Sequence, residues 1–210
     1  MGSWYLVRHG ETEWNRNGRI QGHSDVPLNE SGRRQAKMLA KRLANCSISA
    51  TYASDLSRAT ETARAIVGDT DMPVFTDPDL REFSYGEWEG LTLKEVEDQF
   101  PLELAERTGQ GNNTFAAPGG EDTGHVLDRV RRFSAEAEKR HDPADNVLIV
   151  AHGGSIRALF VCLLGLTDDR FWSTQVDCAS LSVISNQPNG RVLELWNENG
   201  HLNSAEEAGT

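Results

Sequence analysis

Leu6-Val7-Arg8-His9-Gly10 and Ile149-Val150-Ala151-His152-Gly153 are the stretches on which the fold turns. Each is an apolar run that ends in His-Gly and passes into polar or helical sequence. Short apolar runs alternating with helical periods are the pattern of a mostly parallel sheet covered by helices. In an open sheet of that kind, ligands bind outside the carboxyl ends of the strands. If the two strands are neighbours, His9 and His152 face one another there.

The flanking sequence extends this reading. A first strand is expected over 4–7, followed by a helix capped by Asn29 with Ala36, Leu39, Ala40 and Leu43 on its apolar face. Residues 48–54 read as the second strand. Leu56, Ala59, Ala63, Ile66 and Val67 form the next helical face, with Ser54 or Asp55 as its cap. A short strand at 74–76 precedes a Gly-, Asn- and Pro-rich stretch over 108–120, and Val126, Val130, Phe133 and Ala137 then mark another helix. The β-branched run 147–151 is a central strand, with Ile156, Leu159, Phe160 and Leu163 at helical spacing behind it. Strands at 181–184 and 192–196 flank a hairpin turn within 186–190. The expected class is α/β: a three-layer α/β/α sandwich around a mostly parallel sheet. A single domain would cover 1–203, with 83–124 as a small helical or loop insertion over the active site. Residues after Leu202, 204–210 in particular, read as a polar tail.

The chain has 210 residues, with 21 Lys and Arg against 32 Asp and Glu, a formal charge of −11. That balance argues against a general nucleic-acid or membrane-surface binder, so a bound anion must meet a local cluster of arginines. Cys46, Cys162 and Cys178 are odd in number and lack C-x-x-C spacing, so no disulfide framework is indicated. The apolar stretch 158–164 is too short to span a bilayer. With no leader pattern before Trp4, the expected location is cytoplasmic.

Arg58 falls in the first turn of the helix after the second strand and can point over the strand ends. Arg8, Arg58, His9 and His152 would then converge with helix N-termini into a compact cationic pocket. Guanidinium forks match phosphate oxygens, which makes a phosphoryl group the expected ligand. A Walker A sequence, H-E-x-x-H, a D-x-D calcium loop and a Cys/His metal cluster are absent from the sequence.

Leu6-Val7-Arg8-His9-Gly10-Glu11-Thr12, with Asn15 and Gly22 downstream, resembles the signature of the histidine phosphatase superfamily, in the branch containing cofactor-dependent phosphoglycerate mutase. Asn29-Glu30-Ser31-Gly32, Tyr52-Ala53-Ser54-Asp55-Leu56-Ser57-Arg58-Ala59, Leu80-Arg81-Glu82, Pro118-Gly119-Gly120-Glu121 and Val150-Ala151-His152-Gly153 agree in order and spacing, from residue 4 to about 165. The resemblance implies His9 as nucleophile and Glu82 as proton donor to the leaving oxygen. It implies Arg8, Arg58, His152 and Asn15 around the phosphoryl oxygens, and Gln21, Gly22 and the Gly153 backbone as further contacts. It implies neither metal nor cofactor. The reaction so implied is hydrolysis of a small phosphorylated metabolite through a phosphohistidine.

A mutase and a non-catalytic phosphate-binding member are the alternatives. Between Pro101 and His125 the one Arg or Lys is Arg107, and the paired arginines the resemblance implies for a mutase are missing. Among phosphatases the likeness extends to broad-specificity, α-ribazole and metal-independent phosphoserine enzymes. Tyr85 stands where a phosphoserine enzyme would be expected to carry a substrate-reading His. Phe83, Tyr85, Arg107, Phe115 and His23 are candidates to line the leaving-group side. A monomer or homodimer, with no nucleic-acid or membrane partner, completes the expectation.

Overall fold

The computed structural model describes residues 1–109 and 115–205. Its first half contains β1 (Ser3–Arg8), the one-turn α1 (Glu13–Arg16), α2 (Glu30–Leu43), β2 (Ala50–Ala53), α3 (Ser57–Val67) and β3 (Val74–Thr76). The second contains α4 (Leu93–Gln99), α5 (Pro101–Gly109), α6 (Thr123–Arg140), β4 (Val147–Ala151), α7 (Gly153–Leu164), β5 (Leu181–Gln187) and β6 (Gly190–Glu198). The six strands lie in the order β3-β2-β4-β1-β5-β6. The first four in that order are mutually parallel, while β5 and β6 add an antiparallel edge. This is the expected mostly parallel α/β sheet.

The apolar composition of β4 follows from coverage on both faces. Val147, Ile149 and Ala151 share a core with Val126 and Val130 of α6 and Ile156 and Leu159 of α7. Leu148 and Val150 face Leu39 and Leu43 of α2 and Ala59 and Ala63 of α3. The period of two along the strand therefore serves two separate helix layers. Register does the rest: Arg8 is paired with Ala151, which sets His9 and His152 side by side at adjacent strand ends.

Several local expectations need correction. The second strand spans only Ala50–Ala53, because Ile48 is held in a turn through its N–H to Cys46 O (2.8 Å). Neither Ser54 nor Asp55 caps α3; Leu56 occupies the cap position with no side-chain cap bond. Asp25, from a distant loop, accepts instead from Ser57 N and Oγ, both at 2.7 Å, and Asp55 pairs with Arg81 at 2.5 Å. Asn29 does cap α2, accepting from Gly32 N at 2.8 Å. The hairpin strands are longer than expected and close at Gln187 opposite Gly190. A 3₁₀ turn spans Gly200–Ala205, so the chain is still ordered into the first residues assigned to the tail, and 206–210 lie outside the described residues. Between β3 and α6 the segment expected as an insertion contains α4, α5 and a small core around Trp88, Val96 and Ala117. Among the described residues no helix is long and apolar enough to cross a membrane.

Ile149 is fully buried at the centre of β4, in the core shared with α6 and α7. Ile149→Ala should destabilise the protein by about 2–5 kcal/mol in urea unfolding with an unchanged m value. A loss below about 1 kcal/mol would contradict this packing.

Candidate active site

The sharp end of β1 delivers Arg8 and His9, and that of β4 delivers His152 and the N-terminus of α7. His9 is 2% exposed, and its Nδ1 lies 2.7 Å from Gly10 O. A carbonyl can only accept, so Nδ1 carries the hydrogen and Nε2 presents a bare lone pair. His152 has the opposite polarity. Its Nδ1 accepts from Arg58 Nε at 3.2 Å, so its hydrogen is on Nε2, a buried atom with no partner. The rings stand 5.0 Å apart and tilted by 59°. One imidazole thus offers a nucleophilic nitrogen and the other an N–H in search of an acceptor.

Burial, then the Arg58 and Arg8 charges, hold His9 well below the ordinary histidine pKa. Burial and Arg58 do the same to His152, with smaller contributions from His9, Arg8 and Arg129. Both rings are therefore neutral at pH 7. Arg58, fully buried, donates Nη1 to Ser24 O (2.8 Å) and Nη2 to Gly22 O (2.7 Å). Burial pulls its pKa down to about 10, which still leaves it charged. Arg8 donates Nη1 to Val176 O at 2.7 Å and keeps a buried, unpartnered Nε.

Arg8, His9 and Arg58 open onto a cleft of about 370 Å³ lined also by Asn15, Gly18, Arg19, Ile20, Gln21, Gly22, Glu82, Tyr85, Leu93 and Arg107, while His152, fully buried against His9, is not among the lining residues. Thr12 caps α1 by accepting from Asn15 N, while Asn15 Oδ1 accepts from Thr12 N (3.1 Å). Gln21 Oε1 accepts from Thr12 Oγ1 at 2.9 Å. Both carboxamides thus have their oxygens engaged, which leaves amino groups for a ligand. Gly22 contributes through its carbonyl to Arg58, and at φ +57° a Cβ there would meet Glu89 Oε1 at 2.1 Å.

Glu82 Oε1 accepts from Phe83 N (3.0 Å) and Gly154 N (2.9 Å). With Oε1 occupied, a transferable proton belongs on Oε2. Gly153 opens α7, and a Cβ on it would stand 3.6 Å from Glu82 Oε2. Tyr85, whose phenol is pushed up by burial and by Glu82, and Arg107 line the outer cleft. Phe115 does not reach it. It packs on Trp88 in an adjoining aromatic crevice that Tyr85 and Arg107 share. His23 stands outside the lining as well, with Nε2 donating to Glu82 O at 2.9 Å. Sequence reading missed Gly18, Arg19, Ile20 and Leu93 in the lining; none carries a pattern that separates it from an ordinary loop or helix residue.

Two measurements test this geometry. Because both folded-state histidine pKa values are lowered, the unfolded chain binds more protons below about pH 6.5. Stability in phosphate-free buffer should therefore fall from pH 6.5 towards 5, by up to about 1.4 kcal/mol per pH unit for each histidine. His152→Gln should remove one proton from that slope, and a flat wild-type profile would refute the neutral pair. Separately, Gly154→Ala would place a Cβ 2.3 Å from Glu82 Oε1 and 2.5 Å from Phe83 Cδ2. Alanine normally favours a helix, yet here it should lower both stability and turnover; a gain in stability without loss of activity would contradict the close approach.

Residues 4–199 match the histidine phosphatase superfamily, branch 1. Phosphoserine phosphatase 1 of Hydrogenobacter thermophilus is 36% identical over 197 residues, 94% of this chain and 92% of that protein. A probable phosphoglycerate mutase of Serratia proteamaculans is 33% identical over 195 residues, 91% of this chain and 88% of that one. The crystal structure of a putative alpha-ribazole-5'-P phosphatase from Escherichia coli superposes with a TM-score of 0.87 at 28% identity, covering 94% of this chain and 96% of that chain. Family and relatives together indicate a phosphatase enzyme, and the chain belongs to branch 1 of the histidine phosphatase superfamily.

Proposed function

We propose that the protein is a metal-independent phosphomonoester hydrolase that acts on a small phosphorylated metabolite through a phosphohistidine on His9. The observation that carries this reading is the opposite polarity of the two buried imidazoles: a lone pair on His9 Nε2 and an N–H on His152 Nε2, flanked by Arg8 and Arg58. A neutral imidazole is a competent nucleophile at pH 7. His9 Nε2 attacks phosphorus as the ester P–O bond breaks, and the leaving oxygen takes the proton from Glu82 Oε2. Arg8, Arg58, the His152 N–H and the amino groups of Asn15 and Gln21 hold the phosphoryl oxygens as charge gathers on them. Glu82 then takes a proton from water, the hydroxide oxygen attacks phosphorus, and the P–N electron pair returns to Nε2. Inorganic phosphate leaves, and Glu82 is again protonated.

Hydrolysis is favoured over the mutase reaction by the outer cleft. Arg107 is the one basic residue between Pro101 and His125, and its guanidinium stacks 5.7 Å over Trp88 and 6.0 Å over Trp172. A mutase must hold a phosphorylated acid in two orientations and keep water from its phosphoenzyme, which calls for further cations in this segment beside Arg107 and the Arg19 of the cleft wall. Specificity then rests with Tyr85 and Arg107 at the cleft, since the phosphate end reads only what all substrates share. Phosphoserine, α-ribazole phosphate and phosphoglycerates are the substrates to compare first.

Acid quench during turnover of a labelled monoester should trap label on His9 in a bond labile to acid and stable to base. His9→Ala should abolish label and turnover, and label on Ser, Asp or Cys would refute the nucleophile. Activity should survive EDTA; its loss with rescue by Mg²⁺ or Zn²⁺ would refute metal independence. Glu82→Gln should slow alkyl phosphates, which have poor leaving groups, by about 100-fold or more while slowing p-nitrophenyl phosphate far less. Equal slowing of both would remove Glu82 from the acid role.

A further inference from the structure

Glu82 occupies an irregular bend between the 3₁₀ turns Pro78–Leu80 and Gly86–Trp88, where no helix or strand ladder fixes its backbone. Arg129 of α6 does so instead. It is 7% exposed and sits among Val126, Leu127, Val130 and Phe133 on the buried face of the helix. Its Nη1 donates to Asp79 O (2.8 Å) and Arg81 O (2.6 Å), and its Nη2 donates to Glu82 O (2.8 Å). Nε and Nη2 donate to Glu121 Oε1 and Oε2, both at 3.0 Å. A guanidinium has five N–H donors, and here all five are engaged.

Glu121 extends the clamp to the far side of Glu82. Its Oε2 accepts from Ser84 N at 2.9 Å, and its own N–H donates to Ser84 O at 2.8 Å. The backbone is thus anchored at 79, 81, 82 and 84. His23 Nε2 adds a second donor to Glu82 O, from the loop whose Gly22 and Ser24 carbonyls hold Arg58. Burial pushes the Glu121 carboxyl up, but the Arg129 guanidinium, the Ser84 N–H and His23 together outweigh it, so the net shift is downward. None of Arg129, Glu121 and His23 lines the catalytic cleft.

We propose that Arg129, with Glu121, is a positioning residue for Glu82: it converts an irregular bend into a rigid mount that fixes where the carboxyl meets the leaving oxygen. This rests on the acid role proposed for Glu82. A point ammonium with three donors cannot reproduce the fork, so Arg129→Lys keeps the charge opposite Glu121 and loses the simultaneous grip on three carbonyls. A small displacement of a catalytic group lowers turnover without changing ground-state binding of phosphate.

The test compares purified full-length Arg129→Lys and Glu121→Gln with wild type, using an alkyl phosphate, p-nitrophenyl phosphate and inorganic phosphate as an inhibitor. Each variant should lose roughly 10- to 100-fold in kcat on the alkyl phosphate, much less on p-nitrophenyl phosphate, and change phosphate inhibition by under about twofold. In a Glu82→Gln background Arg129→Lys should add nothing further, since the group it positions is gone. A uniform loss on both substrates, or a full additional loss in the Glu82→Gln background, would make the clamp a mere scaffold and overturn the proposal. Failure of both variants to fold would do the same. If Glu82→Gln itself shows no leaving-group dependence, the acid assignment fails instead, and the two failures are told apart.

Discussion

Arg58 is buried with no carboxylate at ion-pair distance among the described residues, and the site is arranged around that constraint. A buried cation without a counter-ion is unfavourable unless its donors are satisfied and a mobile anion can complete the balance. Backbone carbonyls of Gly22 and Ser24 take two of its edges, and the third goes to His152 Nδ1. That last bond decides more than the position of Arg58. By occupying Nδ1 as acceptor it fixes the His152 tautomer, while its charge, together with burial, keeps both imidazoles unprotonated. A positive site with neutral bases is what an incoming phosphoryl group needs.

The sheet supplies the arrangement that local chemistry cannot. His9 and His152 are 143 positions apart in the sequence and meet because β1 and β4 pair in parallel with Arg8 opposite Ala151. A one-residue slip would turn every side chain of the strand to the other face, exchanging the residues that face α6 and α7 for those that face α2 and α3. The different shapes of those two cores, with Phe133, Phe160 and Phe171 in one and the alanines Ala59 and Ala63 in the other, oppose such a slip. Packing energy spread through the core is thereby converted into the placement of two nitrogens.

Much of this could be read from the chain because short-range patterns carried it. The His-Gly endings, the Asn29 cap and the apolar β4 run are each set by neighbours within a few residues, and each has its expected place. What escaped was set by partners far along the chain. The acceptor for the first N–H of α3 is Asp25, which no local spacing ties to Ser57. His23, expected at the leaving group, is spent on the Glu82 carbonyl. Arg129 left a trace: it is a charge at helical spacing from Val126 and Phe133, inside an otherwise apolar stripe. A buried charge there asks for partners, though only the fold names them as the carbonyls of Asp79, Arg81 and Glu82.

The two ends of the cleft are built on different principles. At the inner end the polar groups are held by strand termini, helix caps or buried hydrogen bonds, which on the proposed reading selects one geometry of phosphoryl group. At the outer end Tyr85 stacks on Phe83, which stacks in turn on Trp172, and Arg107 bridges Trp88 and Trp172 through their faces. Stacked contacts of this kind are weakly directional and tolerate change in the group they meet. Phe83 also carries one of the two N–H groups that hold Glu82 Oε1, and it crowds Gly154, so the aromatic wall and the carboxyl share one segment of backbone. On the acid role proposed for Glu82, a leaving group that rearranges that wall would act on the alignment of the carboxyl as well as on binding, and discrimination between substrates would be expressed in turnover as much as in affinity.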